Sequence, residues 1–311
     1  MTVVTLVAVP PADDVPVGAL VHVMIPAFGD DAYLRAAIES VLAQDSDLWL
    51  LTISDDGPTD PILAQWITDL GDDRVTYLHN PVRLGINRNF QRCLELARGA
   101  WVVLVGADDR LHPRYVRVVS AAAAAHPDVA WIQPSVRVIG PDGSAVVTRA
   151  DQVKARLMPK PSPDGVTVLA GEELARSLLV GNWMYFPAVA FRRDVVLAYG
   201  FQVGRDIVLD LDLYLRMLVD GASAAYLDEV AVDYRRHAAS LSSTEAVSGV
   251  RFAEERAFFD EAAAALDHIG WHRAARAARL HVTSRLYAVL CLPRARSAGA
   301  VGSLLRHAAG H

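Results

Sequence analysis

The sequence is organised around residues 102–113, which read Val102-Val103-Leu104-Val105-Gly106-Ala107-Asp108-Asp109-Arg110-Leu111-His112-Pro113. The apolar run from Trp101 to Val105 is typical of a strand that is buried on both faces, as in a parallel sheet. Asp108 and Asp109 then follow the carboxyl end of a central strand, where open α/β sheets bind their ligands. Adjacent carboxylates repel each other unless a cation or a donor satisfies them, and Mg²⁺ and Mn²⁺ prefer such hard oxygen ligands. The alternative is that the pair only caps the helix that follows Pro113.

Strands and helices alternate four times in the first 110 residues, with short connections. This pattern predicts an α/β fold with a doubly wound, mostly parallel sheet, flanking helices and right-handed crossovers. Further along, we expect a loop-rich stretch over 137–169 with a hairpin at Pro141-Asp142-Gly143. The predicted strands are 20–25, 48–54, 75–79, 101–105, 129–133, 188–192, 224–227 and 230–234; the predicted helices are 34–42 (capped by Asp30 or Asp31), 61–70, 87–97, 113–125, 172–179 and 210–219.

The chain divides into three predicted parts. An N-terminal extension covers 1–19, an α/β domain covers 20–245, and an Ala-, Arg- and Leu-rich helical region covers 246–311. The last part is predicted to form helices near 247–267, 271–290 and 297–308. We expect its arginines on solvated faces of helices that pack against the α/β domain; contact with anionic lipid or an acidic partner is the alternative.

Composition argues against several classes of protein. The 311 residues carry a formal charge of −6 and no long basic run, which argues against nucleic acid as a partner. Cys93 and Cys291 lie far apart and lack metal-ligand spacing, so we expect no disulfide framework and a cytoplasmic location. The N-terminus lacks the basic segment of a signal peptide, and no segment approaches the ~20 apolar residues of a membrane span.

Several short motifs follow one another along residues 20–245. They are Ile25-Pro26-Ala27-Phe28; Ser54-Asp55-Asp56-Gly57-Pro58-Thr59-Asp60; Asn80 and Gly85 before Arg88-Asn89; Ala107-Asp108-Asp109; Asp210-Leu211-Asp212-Leu213-Tyr214-Leu215-Arg216; and Tyr234-Arg235-Arg236-His237-Ala238-Ala239-Ser240. Each motif alone is weak. Together, at these spacings, they resemble the family 2 glycosyltransferases, which have the GT-A fold.

The resemblance implies a GT-A domain whose half at 20–110 binds a nucleotide and whose half at 111–245 binds an acceptor. It implies an inverting transfer of a sugar from a nucleotide-diphosphate donor, with UDP-sugars favoured. The acceptor would be a small molecule, a glycan, a lipid-linked molecule or a peptide, and peripheral membrane contact is compatible with it.

The same resemblance assigns the nucleotide contacts. Pro26, Ala27 and Phe28 would line the base, and Asp56 would accept hydrogen bonds from the base or the ribose, with a turn or capping role as the alternative. Arg88 would contact the base or a phosphate, with a plain surface arginine as the alternative.

It also assigns the groups around the diphosphate. Asp108 would contact the ribose or the sugar, and Asp109 would hold Mg²⁺ or Mn²⁺ against the diphosphate. His237 would lie on the diphosphate or the metal, with Arg235, Arg236 and Ser240 nearby; a structural histidine is the alternative.

Asp210 matches the family's acid at the start of a helix, where the helix dipole stabilises the anion. It is assigned as the general base that takes the acceptor's proton. Asp212 is expected to be structural and to pair with Arg216. The chain departs from the family at Leu209, where Glu is common, and at Gly106, where many members carry a further acid. The aromatic cluster over 183–186 would either meet the acceptor or belong to the core.

Two other functions stay open at this point. A catalytically silent nucleotide-sugar-binding protein would keep the nucleotide site but has little need of Asp56, Asp108, Asp109, Asp210 and His237 together. A sugar nucleotidyltransferase needs a Gly-rich, basic phosphate loop after the first strand, and Phe28-Gly29-Asp30-Asp31 is not one. The absence of G-x-G-x-x-G there also disfavours a dehydrogenase.

Overall fold

The structure, a computed structural model, describes residues 20–29, 31–57, 61–160, 162–237, 250–295 and 301–310. Four sequence predictions therefore lie outside the described residues: the extension over 1–19, capping by Asp30, the end of the second motif at 58–60, and the role of Ser240.

The first four predicted strands form the parallel half of the sheet, in the order β3-β2-β1-β4. Their side chains alternate between two core layers, so Val103 packs on one face and Leu104 on the other. This explains why the fourth strand is continuously apolar. The elements are β1 (Val21–Ala27), α1 (Asp31–Leu42), β2 (Trp49–Asp55), α2 (Pro61–Asp69), β3 (Val75–His79), α3 (Ile86–Leu96) and β4 (Trp101–Leu104).

The second half adds antiparallel strands to the predicted α/β sheet, which makes it a mixed sheet flanked by helices. The order continues β4-β8-β6-β9-β5, and β7 pairs with β9. β8 lies between β4 and β6, follows a short 3-10 turn and runs antiparallel to both neighbours. The elements are β5 (Arg110–Leu111), α4 (Tyr115–Ala125), β6 (Trp131–Ile139), α5 (Arg149–Leu157), β7 (Val166–Ala170), α6 (Gly171–Val180), β8 (Ala190–Arg192), α7 (Arg193–Tyr199), α8 (Leu209–Val219) and β9 (Ser223–Arg235).

The stretch predicted as loop-rich, 137–169, contains more regular structure than expected. The hairpin turn is present, because the Gly140 amide donates to Ser144 O at 2.8 Å and Gly143 has a φ of 82°. The helix α5 was missed because its apolar signal is weak, with Val153 and Leu157 as its only large apolar side chains; a capping box between Thr148 and Asp151 starts it. The strands predicted at 224–227 and 230–234 are one strand, β9, in which the extra residues 228–229 and 231 bulge out of the pairing with β6.

The C-terminal region is helical, as predicted, with different boundaries. Its helices are α9 (Val250–His268), α10 (His272–Leu280), α11 (Val282–Ala295) and α12 (Val301–Ala309). The single helix predicted at 271–290 is wrong because His281 adopts a φ of 26° and separates α10 from α11. α10 packs on α6, where Glu172 accepts the amides of Arg273 and Ala274 at 2.6 and 3.1 Å. Among the described helices, none combines the length and the apolar character that crossing a bilayer requires.

The central strand gives a direct test of this packing. Leu104 is fully buried in β4, so Leu104→Ala should lower the free energy of unfolding by about 2–5 kcal/mol through lost burial and a cavity. Leu305→Ala removes the same atoms from a half-exposed site on α12 and should cost less than about 1 kcal/mol. Urea denaturation measures both. Equal losses would contradict the placement of β4 at the centre of the core.

Candidate active site

The candidate site lies at the carboxyl ends of β1, β2 and β4, the edge where parallel strands bind ligands. The loops after β1 and β2 are joined there, because the Asp56 amide donates to Ala27 O at 2.9 Å. Asp108 and Asp109 follow β4 at the same edge. The structure therefore brings together the motifs that contain Phe28, Asp56 and Asp108.

The two adjacent acids fold back over Gly106. A Cβ atom added at Gly106 would lie 2.5 Å from Asp109 Oδ2 and 2.9 Å from Asp108 Oδ1, so no side chain fits without moving both carboxylates. Asp109 is 1% exposed, and its Oδ1 accepts the Arg235 backbone N–H at 2.7 Å. The departure from the family pattern at Gly106 thus has a steric reason in this chain.

The positive charge nearby does not fully compensate the carboxylates of Asp108 and Asp109. Burial and the neighbouring Asp108 carboxylate raise the pKa of Asp109 well above its usual range, although the Arg235 amide and guanidinium oppose the rise. That guanidinium is turned to other partners: its Nε donates to Asp108 O at 2.7 Å, and it lies 4.5 Å from the centroid of the Tyr33 ring.

The acid pair fits a divalent cation that arrives with a diphosphate. Oxygens of both carboxylates converge beside Gly106, which has no side chain to hold them apart. No group of three His, Cys, Asp or Glu side chains within the described ranges is arranged as a complete metal site. Mg²⁺ does not require one, since one or two carboxylates with waters and substrate phosphates suffice. Asp108 and Asp109 are the residues that would hold it.

His237 lies beside the acid pair. Its Nε2 is 2.8 Å from Asp108 Oδ2, and its ring contacts Tyr33 with centroids 5.6 Å apart. Nε2 of His237 is therefore engaged with Asp108 in this structure. Tyr33, on α1, was missed by the sequence analysis, because a single tyrosine outside any motif gives no signal.

The residues assigned to the nucleotide base lie near one another. Phe28 follows β1 and is 53% exposed, and the Arg83 guanidinium stacks 4.2 Å from its ring centroid. Pro26 and Ala27 form the end of β1, with Ala27 fully buried. Arg88 is exposed in the first turn of α3. Arg83 was not singled out from the sequence, although its loop was.

Asp56 holds the loop between β3 and α3. Its carboxylate accepts the backbone amides of Leu84 and Gly85 at 2.7 and 2.8 Å and the Asn80 side-chain amide at 3.0 Å. These bonds account for its burial, so the structural role considered for Asp56 is present. Contact with a base or ribose would be additional to it.

Asp210 lies in the first turn of α8. Its Oδ2 accepts the Asn182 side-chain amide at 2.7 Å, and its Oδ1 accepts the Leu211 backbone N–H at 2.8 Å. Burial raises the pKa of Asp210, whereas these two hydrogen bonds and the positive charge of Lys154 lower it. Asp212 faces elsewhere and pairs with Arg216 at 2.8 Å, which confirms its structural role.

Lys154, on the unpredicted helix α5, completes this part of the site. Its ammonium group donates to Met184 O at 2.8 Å and lies 4.1 Å from the centroid of the Tyr185 ring. Burial, followed by the charge of Arg236, lowers the pKa of Lys154 to about 8, against the opposing effect of Asp210. Sequence reasoning missed Lys154 because it lay in a stretch predicted to be loop.

A network of polar and aromatic contacts lies behind Lys154. Asp151 accepts the Arg236 guanidinium at 2.6 Å and the Tyr185 hydroxyl at 3.0 Å. Tyr185 packs edge-to-face on Tyr234, with centroids 5.0 Å apart. Burial and then the negative charge of Asp109 raise the pKa of Tyr234. Within the aromatic cluster over 183–186, Trp183, Met184 and Tyr185 are buried, and Phe186 is partly buried against the core.

The same fold occurs in solved structures of low sequence identity. A crystal structure of Staphylococcus aureus TarS 1-349 in complex with UDP-GlcNAc superimposes with a TM-score of 0.66 at 14% identity, covering 93% of this chain and 81% of that one. The mannosyltransferase PcManGT from Pyrobaculum calidifontis, in complex with GDP-Man and Mn²⁺, gives a TM-score of 0.56 at 16% identity, covering 93% and 86%.

Sequence comparisons identify the family. The uncharacterized protein MT1568 from Mycobacterium tuberculosis is 31% identical over 242 residues, which are 75% of this chain and 72% of that protein. The putative colanic acid biosynthesis glycosyl transferase WcaA from Escherichia coli is 32% identical over 103 residues, which are 33% and 37% of the two chains. The sequence model for glycosyl transferase family 2 matches residues 22–173. The chain therefore belongs to glycosyl transferase family 2 and is a glycosyltransferase with the GT-A fold.

Proposed function

We propose that this glycosyltransferase moves a sugar from a nucleoside-diphosphate sugar, with a UDP-sugar favoured, to an acceptor nucleophile with inversion at the anomeric carbon. The observation that carries the proposal is the separation of two acidic sites. One is the pair Asp108–Asp109, folded over Gly106. The other is Asp210, held at the start of α8 by Asn182 and by its own helix.

The donor would lie along the carboxyl edge of the sheet. Phe28, with Arg83 stacked on it, offers an exposed ring to the base. The diphosphate would then extend toward Asp108 and Asp109. A divalent cation, Mg²⁺ or Mn²⁺, would neutralise charge on the departing diphosphate when bound there. The complexes of TarS with UDP-GlcNAc and of PcManGT with GDP-Man and Mn²⁺ support a nucleotide sugar as donor.

Asp210 would act as the general base. An acceptor hydroxyl attacks the anomeric carbon from the face opposite the diphosphate and loses its proton to the Asp210 carboxylate, which inverts the configuration. The bonds from Asn182 and Leu211 fix that carboxylate, and the N-terminus of α8 favours its charged form. Its raised pKa makes it a stronger base than an exposed aspartate.

Replacing the base tests this assignment. Asp210→Asn keeps the size and one acceptor oxygen, so it should leave UDP binding intact while kcat falls by about 10²- to 10⁴-fold. A transfer assay with a panel of UDP-sugars and a titration of UDP measure the two quantities. Full turnover by the variant would remove Asp210 as the base, and lost UDP binding would place it on the donor.

Replacing the buried acid tests the cation. Asp109→Asn retains an oxygen for the Arg235 amide, so the site keeps its shape. Calorimetric titration of UDP should show tighter binding with Mn²⁺ for the wild type and equal affinity with and without Mn²⁺ for the variant. Asp69→Asn, on the exposed face of α2, is the matched control and should behave as wild type. A metal effect that survives in Asp109→Asn would contradict the assignment.

The same variant should also change stability in the absence of ligands. Because the folded-state pKa of Asp109 lies above its unfolded value, its ionisation near neutral pH costs stability, and that cost is absent in acid. Asp109→Asn should therefore unfold at a higher temperature than the wild type at pH 7, with the difference shrinking as the pH falls toward 4. A variant that is less stable at pH 7 would contradict this reading.

The positive charge of Lys154 should influence the pH dependence of kcat. Its positive charge lowers the pKa of Asp210, so Lys154→Met should move the acidic limb of the kcat profile upward by about one pH unit or less. Lys154→Arg keeps the charge and should leave the limb closer to its wild-type position. UDP affinity should change little in either variant. An acidic limb that is identical in Lys154→Met and wild type would show that Lys154 does not act on the base.

A further inference from the structure

The helix α11 is apolar around most of its circumference. Its inner face packs Ala288 and Cys291 against Phe252 and Leu304 in a small core of its own. Its outer face exposes four apolar side chains, each 47–62% exposed: Val282, Leu286, Val289 and Leu290. We call these four residues the α11 stripe. An amphipathic surface helix would place polar residues there, and a helix that is apolar on both faces is normally covered on both.

The charge of the surrounding segment is opposite to that of the whole chain. Residues 268–311 contain seven arginines and no Asp or Glu, although the full chain carries −6. Arg276 on α10 and Arg306 on α12 are exposed. Two others, Arg273 and Arg279, pair with Glu173 and Asp267 at the surface, where ion pairs are weak and exchange readily. An apolar stripe within a segment of one positive sign is complementary to an anionic lipid surface.

The α11 stripe also adjoins the acceptor side of the active site. Thr283, next to Val282, donates its hydroxyl to Val180 O at 2.7 Å at the end of α6. The following residue, Gly181, packs so closely on Thr283 that a Cβ would lie 2.9 Å from its methyl group. Asn182 comes next and donates to Asp210. A surface seated on the stripe would therefore lie beside the loop that fixes the proposed base.

We propose that the α11 stripe docks on a bilayer that contains anionic lipids, with α11 parallel to the membrane plane. The chain would then act on acceptors presented at that surface. A second copy of this chain is the other apolar partner to consider. A two-fold contact through α11 would bring two arginine-rich, acid-free segments together, and this repulsion favours lipid as the occupant.

The test uses the full chain and vesicles, without any nucleotide. Flotation with phosphatidylcholine vesicles should show little binding, and vesicles that also contain phosphatidylglycerol should carry the protein upward, less so at high salt. The double variant Leu286→Gln/Leu290→Gln should lose at least tenfold in vesicle affinity. The matched control is Val147→Gln/Val203→Gln, which changes two exposed apolar residues away from α11 and should bind as wild type.

A second double variant tests the contribution of arginine charge to vesicle binding. Arg276→Gln/Arg306→Gln should weaken binding to the anionic vesicles and reduce its dependence on salt. Thermal unfolding of each variant should stay near that of the wild type, because the altered side chains are exposed. Thermal shifts with UDP provide a separate readout, so a failure of the nucleotide site cannot be mistaken for a failure of docking.

Three results would overturn the proposal. The first is the absence of wild-type binding to anionic vesicles, and the second is vesicle binding that the Leu286→Gln/Leu290→Gln variant retains in full. The third is a wild-type dimer, seen by light scattering, that this variant converts to monomer while neither protein binds vesicles; the stripe would then be a contact between copies of the chain.

Discussion

The hydrogen bond from the Arg235 amide to Asp109 joins the two halves of the sheet at the active site. β4 belongs to the parallel half, whereas β5, which begins at Arg110, pairs with β9 at the other end of the strand order. The chain crosses from one half to the other within 105–109. A buried carboxylate is costly unless it is bonded, so the position of Asp109 and the end of β9 depend on each other.

This constraint explains several features that look independent in the sequence. Gly106 leaves room for both carboxylates to turn back, and the residues after Arg235 place His237 on Asp108. The raised pKa of Asp109 follows from its burial and then from the neighbouring Asp108 carboxylate, while the Arg235 backbone amide is its main hydrogen-bond donor. A cation bound with a diphosphate would relieve this repulsion, and the proposal gives the acid pair that role.

The surroundings of Asp210 are organised by a different set of bonds. α5 brings Lys154 and Asp151 against the loop after α6, and Asp151 ties Arg236 and Tyr185 together. Through these contacts α5, the loop after α6 and the end of β9 form one unit. The C-terminal helices support it from the outside, since α11 packs on the same loop.

Sequence reasoning predicted the parts of the fold that have a strong local signal. The first four strands and their helices follow from apolar periodicity and from Pro61 at a helix start, and the acids at their ends follow from strand boundaries. It missed α5, which is held by a capping box and by the ion pair between Asp151 and Arg236 and whose apolar signal is weak. It also joined α10 to α11, because a single left-handed residue, His281, leaves no mark on periodicity. The contacts of Tyr33, Arg83 and Lys154 arise from tertiary packing between distant segments, which one sequence does not encode locally.

The central claim is that the acid pair over Gly106 binds a divalent cation together with a nucleoside diphosphate. Thermal unfolding of the wild-type chain with UDP, GDP, dTDP and CDP, each with and without Mn²⁺, tests it most directly. A ligand present at ~100 times its Kd stabilises the folded state by about 2.7 kcal/mol. We expect a clear shift of the unfolding temperature for one nucleotide, UDP being favoured, and only in the presence of Mn²⁺. No shift with any nucleotide, or an equal shift without the metal, would contradict it.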